Sequence, residues 1–408
     1  MKNIFLILLL IVIAYGGWIF FKSVEEEIEK DPDIEVLSAE ELGDLALASN
    51  DFAFATFFEL AEENENLFIS PCSIHTAMLL AYMGADENTR DEMTEVLALS
   101  GMEEEEIKKK AYGLKYHLEA VSEETEVAIA NSFFLREDIP FLESYKKDGE
   151  TYFDAELKSL PSTGDVINDW VKEKTEEKIE EIIDPGPIPD DVIAYLVNAI
   201  YFKGIWEKEF DEDRTREETF YGEEEAEVEM MENEGDYLYG ISEKMQAVTM
   251  EYKEGDYLFH AFMPTEGSLS ELYEEFDEDT FEDIKPTNEG EVTVRLPKFT
   301  LEHDMKLSDA LENMGIVDAF DRHNADFSRM VDLDEIEENV YIGEVYHSSF
   351  IEVDEKGTEA AAATAVEMRL ESAPMEKTVL EFNRPFFFAI EEAETSSILF
   401  MGQFAGPQ

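Results

Sequence analysis

The chain has little of what catalytic and metal-binding sites are usually built from. Cys72 is the only cysteine among 408 residues, so no intramolecular disulfide can form, and its place after Pro71 at an apolar helix entrance marks it as a buried, inert thiol. A single cysteine says nothing about redox compartment. The six histidines (His75, His117, His260, His303, His323, His347) are scattered, and no His-Glu-x-x-His pair is present for zinc. There is neither a Gly-x-Ser-x-Gly elbow nor a glycine-rich phosphate loop. No catalytic residue, metal or cofactor is expected, and the chain is read as a non-enzyme. No Gly/Pro/Ser-rich linker divides it, which favours one large domain over two.

Positive charge is scarce as well. Lys and Arg number 31 against 99 Asp and Glu, a formal net charge of −68. Such a surface repels itself in dilute buffer and is a poor partner for nucleic acid, which needs basic patches. Screening shortens to roughly 3 Å at 1 M salt, so the acidity reads as adaptation to brine. The carboxylates are spread throughout without Asp-x-Asp-x-Asp-Gly spacing, which leaves calcium unsupported.

What is present suffices for a core: 44% of residues are hydrophobic and 12% aromatic, against disorder despite the charge. Residues 1–22 read as a membrane anchor or signal segment. The uncharged run Ile4–Phe21 reaches roughly 27 Å as a helix, enough to cross a bilayer core. Ala14-Tyr15-Gly16 is the only small-residue cleavage site, and Trp18-Ile19-Phe20-Phe21 continues beyond it, which favours retention. Either alternative places the acidic body outside the cytoplasm, secreted or held at the cell surface. Residues 23–37 form an acidic stalk. Ser38 to Glu41 has capping-box spacing and opens the first helix of a body spanning 38–408. Helical character carries through Phe52, Phe54, Phe57, Phe58 and Leu60 to Glu65; Met78–Leu99, Glu104–Val121 and Val166–Ile183 read as further helices. Strands follow at Val192–Lys203, Ala247–Tyr252, Leu258–Met263, Val292–Leu301, Val340–Val353, Phe386–Ile390 and Ile398–Phe404, an order that suits an α+β fold.

The stretch from Glu355 to Ser372 behaves differently from the rest. Its polar flanks suit an exposed loop, yet from Thr358 to Glu371 every charge (Glu359, Glu367, Arg369, Glu371) falls on one parity. The other parity is Thr358, Ala360, Ala362, Thr364, Val366, Met368, Leu370, without a charge. A helical period would spread those charges around a cylinder, whereas a period of two segregates them, as in a strand with one buried and one wet face. The four alanines Ala360–Ala363 would by intrinsic preference favour a helix; the charge pattern favours the strand.

Residues Glu355–Thr364 followed by Phe382-Asn383-Arg384-Pro385-Phe386 resemble the hinge and distal end of a serpin reactive-centre loop, here about 355–381. Asn66–Ile74, Asn198–Trp206, Leu296–Phe299, Asn324–Ser328 and Ile398–Gly402 resemble further serpin motifs in the family's order, so the resemblance runs from about Leu42 to Pro407. It implies a single large domain with N-terminal helices, a main sheet able to accept an extra strand, and an exposed loop. It also implies suicide inhibition of serine endopeptidases by a monomer: the protease cuts the loop, becomes acyl-linked, and is trapped when Thr358–Glu371 inserts into the sheet. The alternative within the family is a non-inhibitory binding or chaperone-like surface protein. By the family's loop count the cut falls at Glu371-Ser372, with Leu370-Glu371 as runner-up and Arg369-Leu370 shortening the insert further. The hinge is Glu355, Gly357, Thr358, Glu359, Ala360, Ala361, Ala362, Ala363 and Thr364. Ser70, Ser73, Asn198 and His347 resemble the polar cluster beneath the main sheet where strands part, and Trp206 resembles the aromatic residue where insertion begins.

Overall fold

The structure is a computed structural model. It describes residue 34 and residues 37–407, apart from 123, 176, 190, 274–279, 282–283, 334–335, 337 and 359–377. The run Ile4–Phe21 and the loop positions from Glu359 through Ser372 therefore lie outside the described residues. The compact unit is Leu37–Gln408. Among the described residues no helix is long and apolar enough to cross a membrane.

The helices are α1 (Ala39–Leu60), α2 (Pro71–Gly84), α3 (Glu87–Val96), α4 (Glu104–Ala120), α5 (Glu143–Phe153), α6 (Asp165–Lys174), α7 (Leu269–Tyr273) and α8 (Ser308–Met314). The strands are β1 (Leu67–Ile69), β2 (Glu126–Leu135), β3 (Glu156–Ser159), β4 (Ala194–Ile205), β5 (Arg216–Tyr221), β6 (Glu225–Ile241), β7 (Met245–Glu251), β8 (Tyr257–Pro264), β9 (Asn288–Pro297), β10 (Phe299–Lys306), β11 (Glu344–Val353), β12 (Gly357–Thr358), β13 (Thr378–Glu381), β14 (Phe386–Glu392) and β15 (Ile398–Phe404). The α+β reading holds, with helices leading and strands dominating the second half.

The start of α1 follows the spacing read in the sequence: the Glu41 carboxylate accepts from the Ser38 backbone N–H (2.9 Å) and from its hydroxyl (2.7 Å), satisfying donors the helix itself cannot. Pro71 at the first position of α2 has no N–H to leave orphaned. Every residue of α2 is buried, so this helix runs through the interior rather than along the surface.

Three expected elements are divided. The span Met78–Leu99 is two helices: the first ends at Gly84, Ala85 and Asp86 are extended, and the Asp86 N–H donates to the carbonyl of Asp326 (2.9 Å). The Arg90 guanidinium donates to the carbonyls of Tyr82 (2.9 Å) and Ala85 (3.3 Å), satisfying acceptors at the end of α2. Val166–Ile183 is helical only to Lys174, after which the Asn168 carboxamide folds the chain back, accepting from the N–H groups of Ile182 (3.0 Å) and Ile183 (3.1 Å) and donating to the Ile183 carbonyl (2.8 Å). Val292–Leu301 splits at Pro297, which cannot donate to a ladder, into β9 and β10 in different sheets.

One sheet runs β1-β15-β14-β8-β7-β6-β9-β13, with β5 on β6; the other runs β10-β11-β12-β4-β2-β3. The second carries the site. Its β11 and β4 are parallel and paired from Glu344↔Tyr195 to Ser349↔Ile200. At the other end of this seam β12 stands between them, with Val353↔Thr358 on one side and Thr358↔Gly204 and Gly357↔Ile205 on the other. The main core lies on one face of this sheet. A smaller cluster built from Phe134, Ile167, Trp170, Val171, Tyr195, Val197 and Tyr346 packs α6 against the sheet, so both faces of the seam are covered.

Candidate functional site

Two groups of residues line the β11–β4 seam, one beneath its closed part and one at its parted end. Beneath the closed part, Ser70, Ser73, Asn198 and His347 come together, all fully buried. The Ser70 N–H donates to His347 Nε2 (3.1 Å), so that nitrogen carries the lone pair, and His347 Nδ1 holds the proton it shares with Asn198 Oδ1 (2.7 Å). Both ring nitrogens are thus satisfied in the neutral form. Burial, with His303 nearby, pushes the His347 pKa down to about 3. The Asn198 amide donates to Ser73 and to Asn131 Oδ1 (2.8 Å), and the Ser70 hydroxyl donates to the Leu399 carbonyl (2.6 Å). Ser349 adds a bond from its hydroxyl to the Phe68 carbonyl (2.8 Å).

Sequence reasoning did not name Asn131 or Ser349. Asn131 sits directly across from Asn198 on β2, and the signal for it was a carboxamide inside the apolar run Val127–Leu135. Such a cluster joins β2, β4 and β11 to the N-terminus of α2 through bonds that can exchange partners, whereas interlocked apolar side chains would have to be pulled apart.

At the parted end, β11 turns into β12 through Asp354–Gly357. The Asp354 carboxylate accepts from the N–H groups of Lys356 (2.8 Å) and Gly357 (3.1 Å), and the Asp354 N–H donates to the Gly357 carbonyl (2.9 Å). A Cβ at Gly357 would lie 2.0 Å from the Gly204 carbonyl; only glycine lets the two strands approach this closely. Burial opposes ionisation of Glu355, yet the Thr215 hydroxyl (2.7 Å) and the Lys298 ammonium (2.9 Å) outweigh it and hold its pKa below the ordinary glutamate value.

Trp206 frames the turn, its backbone N–H donating to the Lys356 carbonyl (2.8 Å) and its indole N–H to the Asp354 carbonyl (3.0 Å). Its ring stacks on Tyr252 at 4.5 Å, and the Tyr252 hydroxyl shares a 2.7 Å hydrogen bond with that of Thr358. Of the residues singled out in the loop, Glu355, Gly357 and Thr358 are thus placed at the seam. Glu359 to Thr364, Leu370, Glu371 and Ser372 lie outside the described residues.

Cys72 is buried beside Ser49, and burial pushes its thiol pKa up to about 12, so thiolate chemistry is suppressed. Among the described residues no group of three or more His, Cys, Asp and Glu could hold a metal ion.

Comparison with known proteins gives this arrangement a context. Residues 47–407 match the family described as Serpin (serine protease inhibitor). An uncharacterized serpin-like protein of Methanosarcina acetivorans is 32% identical over 429 residues, covering 100% of this chain and 98% of its own. The crystal structure of tengpin, a thermophilic serpin in the native state, superposes with a TM-score of 0.82 at 29% identity, covering 93% of this chain and 98% of its own. Human thyroxine-binding globulin superposes at 0.81 with 26% identity, covering 90% and 100%. With the family match spanning nearly the whole folded unit, and a parted seam carrying the loop's first residues, the chain belongs to the serpin family.

Proposed function

We propose that the protein is a suicide inhibitor of serine endopeptidases, cut at or near Glu371-Ser372. The observation that carries this reading is β12: Gly357 and Thr358 already stand between β11 and β4, while the same two strands are still paired directly from Glu344 to Ser349. Thr358 points beneath the sheet, toward Tyr252, which is the parity the sequence assigns to the uncharged residues.

Continuing the register of β12 down the seam has definite consequences. Thr364 comes level with both His347 and Asn198, whose 2.7 Å bond must break as the strands separate. A threonine hydroxyl there accepts from His347 Nδ1 and donates to Asn198 Oδ1, so neither buried group is left unpaired. Ala361, Ala363 and Ala365 come level with Tyr201, Ala199 and Val197, on the face that α6 covers. The alanine run thus suits a strand that must pass beneath a helix as well as above a core. Met368 reaches Ala194, the first residue of β4, so a cut at Glu371-Ser372 or Leu370-Glu371 frees enough chain to fill the seam.

In the reaction the protease serine forms an ester with the Glu371 carbonyl carbon and the amine of Ser372 departs. Thr358–Glu371 then spans roughly 46 Å as a strand, while a body of this length is roughly 50 Å across. Insertion carries the enzyme from one pole toward the other before water attacks the ester. Ten or more ladder bonds at about 1 kcal/mol net each give a drop on the order of 10 kcal/mol. A glutamate before the cut selects a protease with a basic specificity pocket. The N-terminal run Ile4–Phe21 is taken to hold this acidic body outside the cytoplasm, at the cell surface.

The second reading, a non-inhibitory binding protein, is favoured by the structural likeness to human thyroxine-binding globulin. Incubation with a panel of serine proteases in high salt separates the two. An adduct that survives boiling in detergent supports inhibition, and clean cleavage without an adduct supports the binder.

A further inference from the structure

The loop's first inserting residue is not merely near the seam; it is held there. Thr358 and Tyr252 are both fully buried, and their hydroxyls, 2.7 Å apart, have no water to turn to. The Tyr252 ring can lie under β4 because position 204 is a glycine: a Cβ there would come within 2.6 Å of the ring. The same ring stacks on Trp206, whose indole and backbone bond the turn at Asp354 and Lys356. Ring, glycine and tryptophan together leave the phenol little freedom.

We propose that Tyr252 is a positioning residue that clasps Thr358 in the sheet before any bond is cut, and so fixes the register and parity in which the rest of the loop inserts. The proposal rests on the inhibitory reading for its purpose, though not for its test. A hinge seated in this register starts every insertion with Thr358 beneath the sheet, so the uncharged parity meets the core and the charged parity does not. Loss of the clasp lets the hinge leave the seam, and insertion then competes less well with hydrolysis of the acyl-enzyme.

The test is amide hydrogen exchange on the intact protein in high salt, without protease. Removing one partner of a buried hydroxyl pair shifts the seated-to-released ratio by roughly tenfold. Tyr252→Phe is therefore expected to speed exchange at Gly357 and Thr358 about tenfold while leaving β9 unchanged. Thr358→Val should do the same, Thr358→Ser should behave as the parent, and the double variant Tyr252→Phe/Thr358→Val should be no faster than either single one. Should Tyr252→Phe fail to fold, Thr358→Val and Thr358→Ser read the same contact. Hinge exchange that stays at the parent rate in both single variants overturns the clasp, as do rates that multiply in the double variant or faster exchange throughout β4 and β7. Failure to trap proteases would count against inhibition alone, since exchange is read before any protease is added.

Discussion

His347 shows how much one side chain can carry. Its folded pKa is depressed to about 3, below the ordinary value of about 6.5, so between those values the unfolded chain binds the proton that the folded one refuses. Stability is then fully present above about pH 6.5 and falls as pH drops toward 3. Chemical denaturation from pH 7 to pH 4.5 should show a loss of a few kcal/mol, and His347→Gln should flatten that slope. His75, depressed to about 4 by burial, adds a loss that begins at the same pH and is complete sooner, near pH 4. Gly204 is the second residue with a sharp expectation: Gly204→Ala drives a methyl into the Tyr252 ring and should lower stability by about 1–3 kcal/mol, measured by urea unfolding in high salt. Ser70, Ser73, Asn198 and the hinge glycine were legible in the sequence because they sit inside family-like motifs, and His347 through its resemblance to the family's polar cluster. Asn131, Ser349 and Tyr252 were not, since each joins the site through a hydrogen bond to a residue more than sixty positions away in the chain.

At the scale of elements, what could be read ahead depended on whether burial or charge dominated the pattern. Strand β15 lies at the expected Ile398–Phe404, because a strand buried on both faces reads as a continuous apolar run. Strand β6 went unread. Its Val228 and Met230 are buried while Glu225, Glu227 and Glu229 are exposed, so the alternation is present, but acidic residues are depleted in strands generally and here they obscure it. Helix boundaries failed where tertiary contacts end a helix early, as at Gly84 and Lys174. The second of these is testable: Asn168→Ala removes three bonds to Ile182 and Ile183 and should cost about 1–3 kcal/mol. Hydrogen exchange should rise first at Ile182 and Ile183, the amides that donate to this carboxamide.

For the molecule as a whole, the net charge of −68 is expected to make ionic strength a stability variable. Circular dichroism should report loss of structure on dialysis from molar salt to dilute buffer; an unchanged spectrum would mean that the acidity has some other cause. The inhibitory reading makes a separate demand. A preparation nicked near Glu371 should melt well above the intact protein, since the freed strand completes a seam that the intact chain leaves partly closed on itself. The hinge at that seam also bears on how copies of the protein treat one another. With Gly357 and Thr358 lodged between β11 and β4, the doorway is already tenanted, and a neighbour's segment must evict the resident before it can dock. Concatenation of molecules on warming should accordingly begin, by light scattering, only at temperatures that first dislodge Thr358.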